Sequence, residues 1–367
     1  MGKPRKVKRY SIIYNQKRRR RQMFLRILLG VVGFLLIVGA VFLIAMGLFG
    51  GVEDDSSATP PQPTPAVSEE IPSETDSQQE QPRSDSAIVA KELPVNYVGS
   101  PSKIADFATT AKEEGYTAIV VPLKTEKGEI LYDSKVPEAT SWGAISSSTT
   151  DVDKVVTAIE DAGLMPIAEL YAFEDDIASY AKRGNSYYYG TQTTTTRLFG
   201  SGDGVSWLNP YQKSARDYIC DLAQELYQLG FQTIWLNGVQ FPPQGLDSKT
   251  GTNANGVSQE EILKTFIQEM NAIGVPFVIS YEWNAVGGGG DAQTLYGGDP
   301  TTYGVPELSP VLDSSVSAQQ LTATLQQTMS QAPEAVIIPS IPATADLTQM
   351  TAVLQEAGVN SYLLLSE

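Results

Sequence analysis

The sequence predicts an α/β protein whose globular part is a (β/α)8, TIM-like barrel, preceded by one transmembrane helix and a disordered linker. Three observations predict it. A helix–Gly–strand junction recurs five times, at Gly115, Gly163, Gly230, Gly274 and Gly358, with helical apolar periodicity before each glycine and a β-rich run after it. Roughly 270 residues follow Val95, the size such a barrel requires. Ahead of them stand an uncharged apolar run and a stretch dominated by Pro, Ser, Glu and Gln. An open doubly wound sheet is the competing architecture.

Residues 1–26 carry eleven of the 26 Lys and Arg and no acid. Residues Ile27 to Val52 carry no charge and are long enough to cross a bilayer as a helix. The positive-inside rule then places a cytoplasmic tail at 1–26, a single span at 27–52 and the remainder outside the cell membrane. The apolar run exceeds the core of a cleavable signal peptide. The basic cluster reads as a topology and anionic-lipid signal rather than a nucleic-acid patch.

Residues 53–94, including TPPQPTPAVSEEIPSETDSQQEQP, hold too little apolar surface to offset their ordering entropy and read as a tether. All 42 acids follow the span, so the outer part is strongly acidic, which argues against a nucleic-acid partner.

The barrel is expected over 95–367, with strands near Val95–Val98, in YTAIVVPL, MPIAEL, TIWLN, FVISYE, Leu308–Leu312 and Ala335–Pro339, and in YLLLS. The helices between them carry apolar stripes: Ala215, Ile219, Leu222, Leu226 and Leu229; Ile262, Phe266, Ile267, Met270 and Ile273; Leu347, Met350, Val353 and Leu354. The central strand, Thr233–Asn237, runs out into Gly238 to Pro243, and in a parallel barrel that end is where ligands bind.

Composition excludes much chemistry. With no His, Ser-His-Asp and Cys-His nucleophiles and His-ligated zinc drop out. Cys220 is a single cysteine on a helix and reads as a buried hydrophobe. No P-loop or strand-following GxGxxG occurs, and GGGG at Gly287–Gly290 reads as a loop. Neither a metal nor a cofactor is called for.

Carboxylates and aromatics remain. Glu169 and Glu282 stand at the ends of the third and fifth strands, and two acids facing one cleft are what glycoside hydrolysis needs. Glu174, Asp175 and Asp176 read instead as helix caps or solvated loop residues. Trp207, Trp235, Trp283, Tyr171 and Tyr281 are candidate sugar platforms, with Trp235 also suited to the core, and Asn209, Asn237 and Gln240 are candidate partners for sugar hydroxyls. Tyr187, Tyr188 and Tyr189, followed by TQTTTTRLFGSGDG, form a long loop expected over the barrel mouth.

The segments KIADFATTAKEEGYTAIVVPLKTEKGEILYDSKVP, GLMPIAELYAFEDD and VSWLNPYQKSARDYICDLAQELYQLGFQTIWLNGVQFPP resemble a TIM-barrel family of glycoside hydrolase-like bacterial proteins, over about Lys103 to Gly245. That family carries a Trp-(Val or Leu)-Asn-Pro turn and a central strand ending Phe-Asp-Tyr-Val-Arg-Phe-Pro. Trp207, Asn209, Pro210, Val239, Phe241 and Pro242 match it, and Lys124 stands where the family has a Lys before a Gly-containing turn. The departures are Asn237 for the Asp, Gly238 for the Tyr, Gln240 for the Arg, Glu169 at a basic position, and the absence of the family's later His.

The resemblance implies a glycoside hydrolase-like barrel that binds cell-wall or extracellular polysaccharide, with its hydrolysis left open. An amide at Asn237 hydrogen-bonds a hydroxyl but is neither nucleophile nor base. Catalysis has therefore moved to Glu169 and Glu282, or the groove binds without cleaving. An inactive envelope scaffold that recruits a protein partner is the alternative.

Overall fold

The computed structural model describes residues 87–189, 198, 206–246, 250–252 and 254–366. The basic tail, the apolar span, most of the linker and the loop around 191–205 lie outside the described residues. Among the described residues no helix is long and apolar enough to cross a membrane.

Eight parallel strands close into a barrel: β1 (Val89–Glu92), β2 (Ala118–Lys124), β3 (Met165–Tyr171), β4 (Thr233–Asn237), β5 (Phe277–Glu282), β6 (Glu307–Val311), β7 (Val336–Ile337, continued by Ser340–Ile341) and β8 (Tyr362–Leu364). β1 pairs with both β8 and β2 and so completes the ring. Carrying the pairings from Ala90 through β2 and on to β8 returns to β1 eight positions earlier, the shear of a TIM barrel.

The expected first strand at Val95–Val98 is corrected. Val95–Tyr97 is a turn of 3-10 helix after Pro94, and the strand lies six residues earlier, within the segment read as tether. VAKE buries only Ala90 completely and places Lys91 and Glu92 beside it, so hydropathy does not single it out. β7 is split around Pro339, whose missing N–H interrupts the ladder.

Among the described residues six long helices cover the barrel: α1 (Pro101–Glu113), α2 (Val152–Asp161), α3 (Lys213–Gln228), α4 (Gln259–Ala272), α5 (Ala318–Gln331) and α6 (Leu347–Glu356). All five junction glycines have positive φ, from 70° at Gly274 to 104° at Gly230, as a left-handed helix cap requires. The α3 stripe Ala215, Ile219, Leu222 and Leu226 is fully buried. The β5–β6 crossover holds only short turns, Trp283–Gly288, Ala292–Leu295 and Pro300–Thr302.

The barrel interior fills in layers of four side chains from alternate strands, as register and shear dictate. Ala90, Ile167, Val278 and Ile338 form one; Val120, Trp235, Ser309 and Leu363 form the next toward the carboxyl ends. Seven of these eight residues belong to one apolar cluster, a plug that is separate from the core between barrel and helices. Above the plug comes a polar layer of Glu92, Glu169, Ser280 and Ser340.

Candidate active site at the carboxyl end of the barrel

The polar layer is held from below and around. Trp235 Nε1 donates to Ser280 Oγ at 2.8 Å, and the hydroxyls of Ser309 and Ser340 lie 2.8 Å apart. Asn237, at the end of β4, donates its side-chain N–H to Glu169 Oε1. Glu92 lies in hydrogen-bonding contact with Glu169 and accepts the Ser366 backbone N–H on Oε2 at 2.7 Å.

β1 and β3 are not neighbours. Between them β2 presents Pro122, which pairs with Glu169 and has no polar side-chain atom, so the two carboxyls meet across it. Glu169 is 3% exposed. Burial pushes its carboxyl well above the usual range, the negative charges of Glu92 and Glu126 push it further, and the Asn237 hydrogen bond opposes them.

Across the mouth, Glu282 ends β5 on an exposed position, inward by its alternation with Val278 and Ser280. Enclosure on its protein side raises its carboxyl, aided by Asp313 and Asp291. The order β1 to β8 puts Glu92 and Glu282 on strands four apart in either direction, on opposite walls. Trp283 Nε1 donates to Asp313 Oδ2 at 3.0 Å, leaving the half-buried indole at the rim. Tyr296 ties the two neighbouring strand ends together: its hydroxyl donates to Gln240 Oε1 at 3.2 Å and accepts the Glu282 backbone N–H at 2.9 Å.

The mouth therefore brings together Glu169, Tyr171, Asn237, Gln240, Glu282 and Trp283 from the sequence-derived set. Tyr171 is half-buried beside Glu169, and burial, together with the carboxyl groups around it, raises its hydroxyl. Four other candidates are placed elsewhere. Trp207 is 1% exposed in the outer core, and its indole N–H has no hydrogen-bond partner among the described residues. Asn209 is buried, with Nδ2 donating to the Thr252 carbonyl at 2.6 Å and Oδ1 accepting from Tyr211 N. Trp235 belongs to the plug. Tyr281 points outward to Thr328 on α5, hydroxyl to hydroxyl at 2.8 Å.

Lys124 also leaves the cleft. The pairing shifts between Pro122 and Lys124, and the side chain turns into a buried ion pair with Asp175. Asp175 caps Asp176–Ala181 through Ala178 N, so the capping role is realised there, while Asp176 accepts the Ser206 N–H. Tyr187 is buried and Tyr188–Tyr189 pair with Thr250–Gly251. Sequence reasoning missed Glu92; the available signal was its alternation with Ala90 just before Leu93-Pro94.

The family model described as "Putative glycosyl hydrolase domain" matches residues 93–277. No curated protein matches in sequence. Among solved structures, a hypothetical protein from Ruminiclostridium thermocellum is 25% identical, with a TM-score of 0.46 over 51% of this chain and 95% of that one. The α-galactosidase AgaA of Geobacillus stearothermophilus is 14% identical, with a TM-score of 0.50 over 77% of this chain and 39% of that one. The β-N-acetylhexosaminidase of Streptomyces coelicolor is 12% identical, with a TM-score of 0.43 over 68% of this chain and 47% of that one. This chain spans less than half the length of either hydrolase, and the α-galactosidase likeness supports the barrel fold alone.

Proposed function

From the premise that this chain belongs to the putative glycosyl hydrolase domain family, we propose that it binds and hydrolyses a polysaccharide of the cell wall or extracellular matrix, anchored to the membrane through residues 27–52. The observation that carries the reading is a mouth with acids on opposite walls, Glu282 facing the Glu92–Glu169 pair, and an indole at its rim. Trp283 and Tyr171 offer faces to a sugar ring, while Asn237 and Gln240 offer amides to its hydroxyls. The acidic outer domain suits a neutral or cationic glycan better than a polyanion.

Glu282, raised and solvent-reachable, supplies the proton. It passes to the glycosidic oxygen as the carbon–oxygen bond breaks, and the bonding pair stays on that oxygen. A water oxygen bonds to the anomeric carbon and its proton goes to a facing carboxylate. Solvent exchange then restores both groups.

The test is the full-length chain against a panel of wall and exopolysaccharide fragments, reading new reducing ends and binding together. Product that Glu282→Gln abolishes while binding persists supports hydrolysis. Binding without product makes the barrel a carbohydrate-binding protein, and neither binding nor product removes the sugar reading in favour of an envelope scaffold.

A further inference from the structure

We propose that Glu92 is the catalytic base of this barrel, held ionised because Glu169 carries the proton they share and donates it to Glu92 across Pro122. The proposal rests on the hydrolytic reading above and assigns its facing carboxylate. Sequence position alone favours Glu169 for that role, and the geometry moves it.

Glu169 is 3% exposed, with one oxygen receiving the Asn237 N–H. It is too enclosed to meet an anomeric carbon or the water that attacks it. Glu92 is half-buried in the same layer; it accepts the Ser366 N–H at 2.7 Å and lies against the Glu169 carboxyl, which in this proposal is its second donor. A carboxylate receiving two such bonds is stabilised as the anion. The other titratable groups facing the pair, Glu126 and Tyr171, contribute no cation and disfavour a second charge, which leaves one proton for the pair and puts it on the buried member.

Glu92 and Glu282 then stand on opposite barrel walls, as an acid and a base acting on opposite faces of a sugar require. In the step above, the water's proton passes to Glu92 while Glu282 protonates the departing oxygen. Glu169 is a positioning residue: it keeps the base charged and aimed without touching substrate.

Two readouts on the full-length chain separate this proposal from the reading beneath it. The first needs no substrate. The infrared difference spectrum, parent minus Glu169→Gln, should contain a protonated carboxylic-acid carbonyl band at neutral pH beyond that of Glu282, and that band should titrate away at lower pH in Glu92→Gln. A band indifferent to Glu92→Gln overturns the shared proton. The second is cleavage. Glu92→Gln should lower kcat by ~10²–10⁴-fold with KM little changed, and Glu92→Asp should recover part of it.

Glu169→Gln, whose amide still donates to Glu92, should cost about tenfold or less and leave the alkaline fall in rate, which the Glu282 proton sets, in place. The reverse ranking, with Glu169→Gln the more damaging, overturns the assignment. If the band responds as expected and no polysaccharide is cleaved, the hydrolytic reading fails and the base role fails with it, while the shared proton stands.

Discussion

Lys124 Nζ lies 2.9 Å from Asp175 Oδ2 with both side chains wholly buried. Lys124 Nζ also donates to the Tyr171 carbonyl at 2.6 Å, so this cation, which the family resemblance matches to a Lys before a Gly-containing turn, braces the end of β3. Gly128 makes the approach possible. It has φ of 85°, and a Cβ there would meet Asp175 Oδ1 at 1.9 Å.

Removing one member of such a pair strands the other charge in a dry interior. Lys124→Met and Asp175→Asn are each expected to destabilise the protein by about 3–5 kcal/mol. The double change to apolar residues should cost less than the sum of the two. Thermal or denaturant unfolding of the three variants measures it; a loss of activity with unchanged stability would instead make Lys124 a site residue.

The position of β1 predicts where the chain can be shortened. A chain starting at Val95 lacks the strand that pairs with both β2 and β8, exposing two sheet edges and the interior plug. It is expected to be insoluble or to unfold without cooperativity. A chain starting at Gln81, where the compact unit that contains the barrel begins, keeps β1 and should unfold in one sharp transition. Circular dichroism melts of the two decide the matter.

How much of this was legible in the sequence follows from which signals faces leave. Six of the other strands were readable because each follows a long helix, five of them with glycine at the junction, while β6 follows only short turns and was read from its own apolar run. β1 follows no such helix and buries just Ala90 and the succeeding Leu93 completely, so neither periodicity nor hydropathy marks it, and Glu92 was lost with it. At the site, strand ends located Glu169, Asn237 and Glu282. Residue type did not reveal direction: Tyr281 alternates with the inward Ser280 and Glu282, so its ring goes to α5. Trp207 and Asn209 lie on a loop, where no periodicity states what is buried.

Glu169 gives the barrel a pH dependence whose sign is fixed. Its folded-state pKa is raised above the ordinary 4.5, so the folded protein holds a proton that the unfolded chain releases. The corresponding stability is fully present below about 4.5 and is lost as pH rises toward the folded value. Glu169→Gln removes the titrating group. Its melting temperature should therefore fall less than that of the parent as pH rises from 4.5 toward neutrality. Parallel melting curves of the two proteins across that window would remove Glu169 as the buried proton carrier.

Trp207 and Trp283 are expected to separate stability from binding. Trp207 is 1% exposed in the core between barrel and helices, and Trp207→Ala should cost about 3–5 kcal/mol of stability through the cavity it leaves. Trp283 is half-buried at the rim, with its N–H held by Asp313 at 3.0 Å and its ring available for stacking. Trp283→Ala should weaken oligosaccharide binding roughly tenfold, at the level of an aromatic stacking contact, while leaving the melt nearly unchanged. Calorimetric titration beside thermal unfolding reads both. If Trp207→Ala keeps its stability and loses binding, the loop that carries it belongs to the sugar groove and the rim at Trp283 does not.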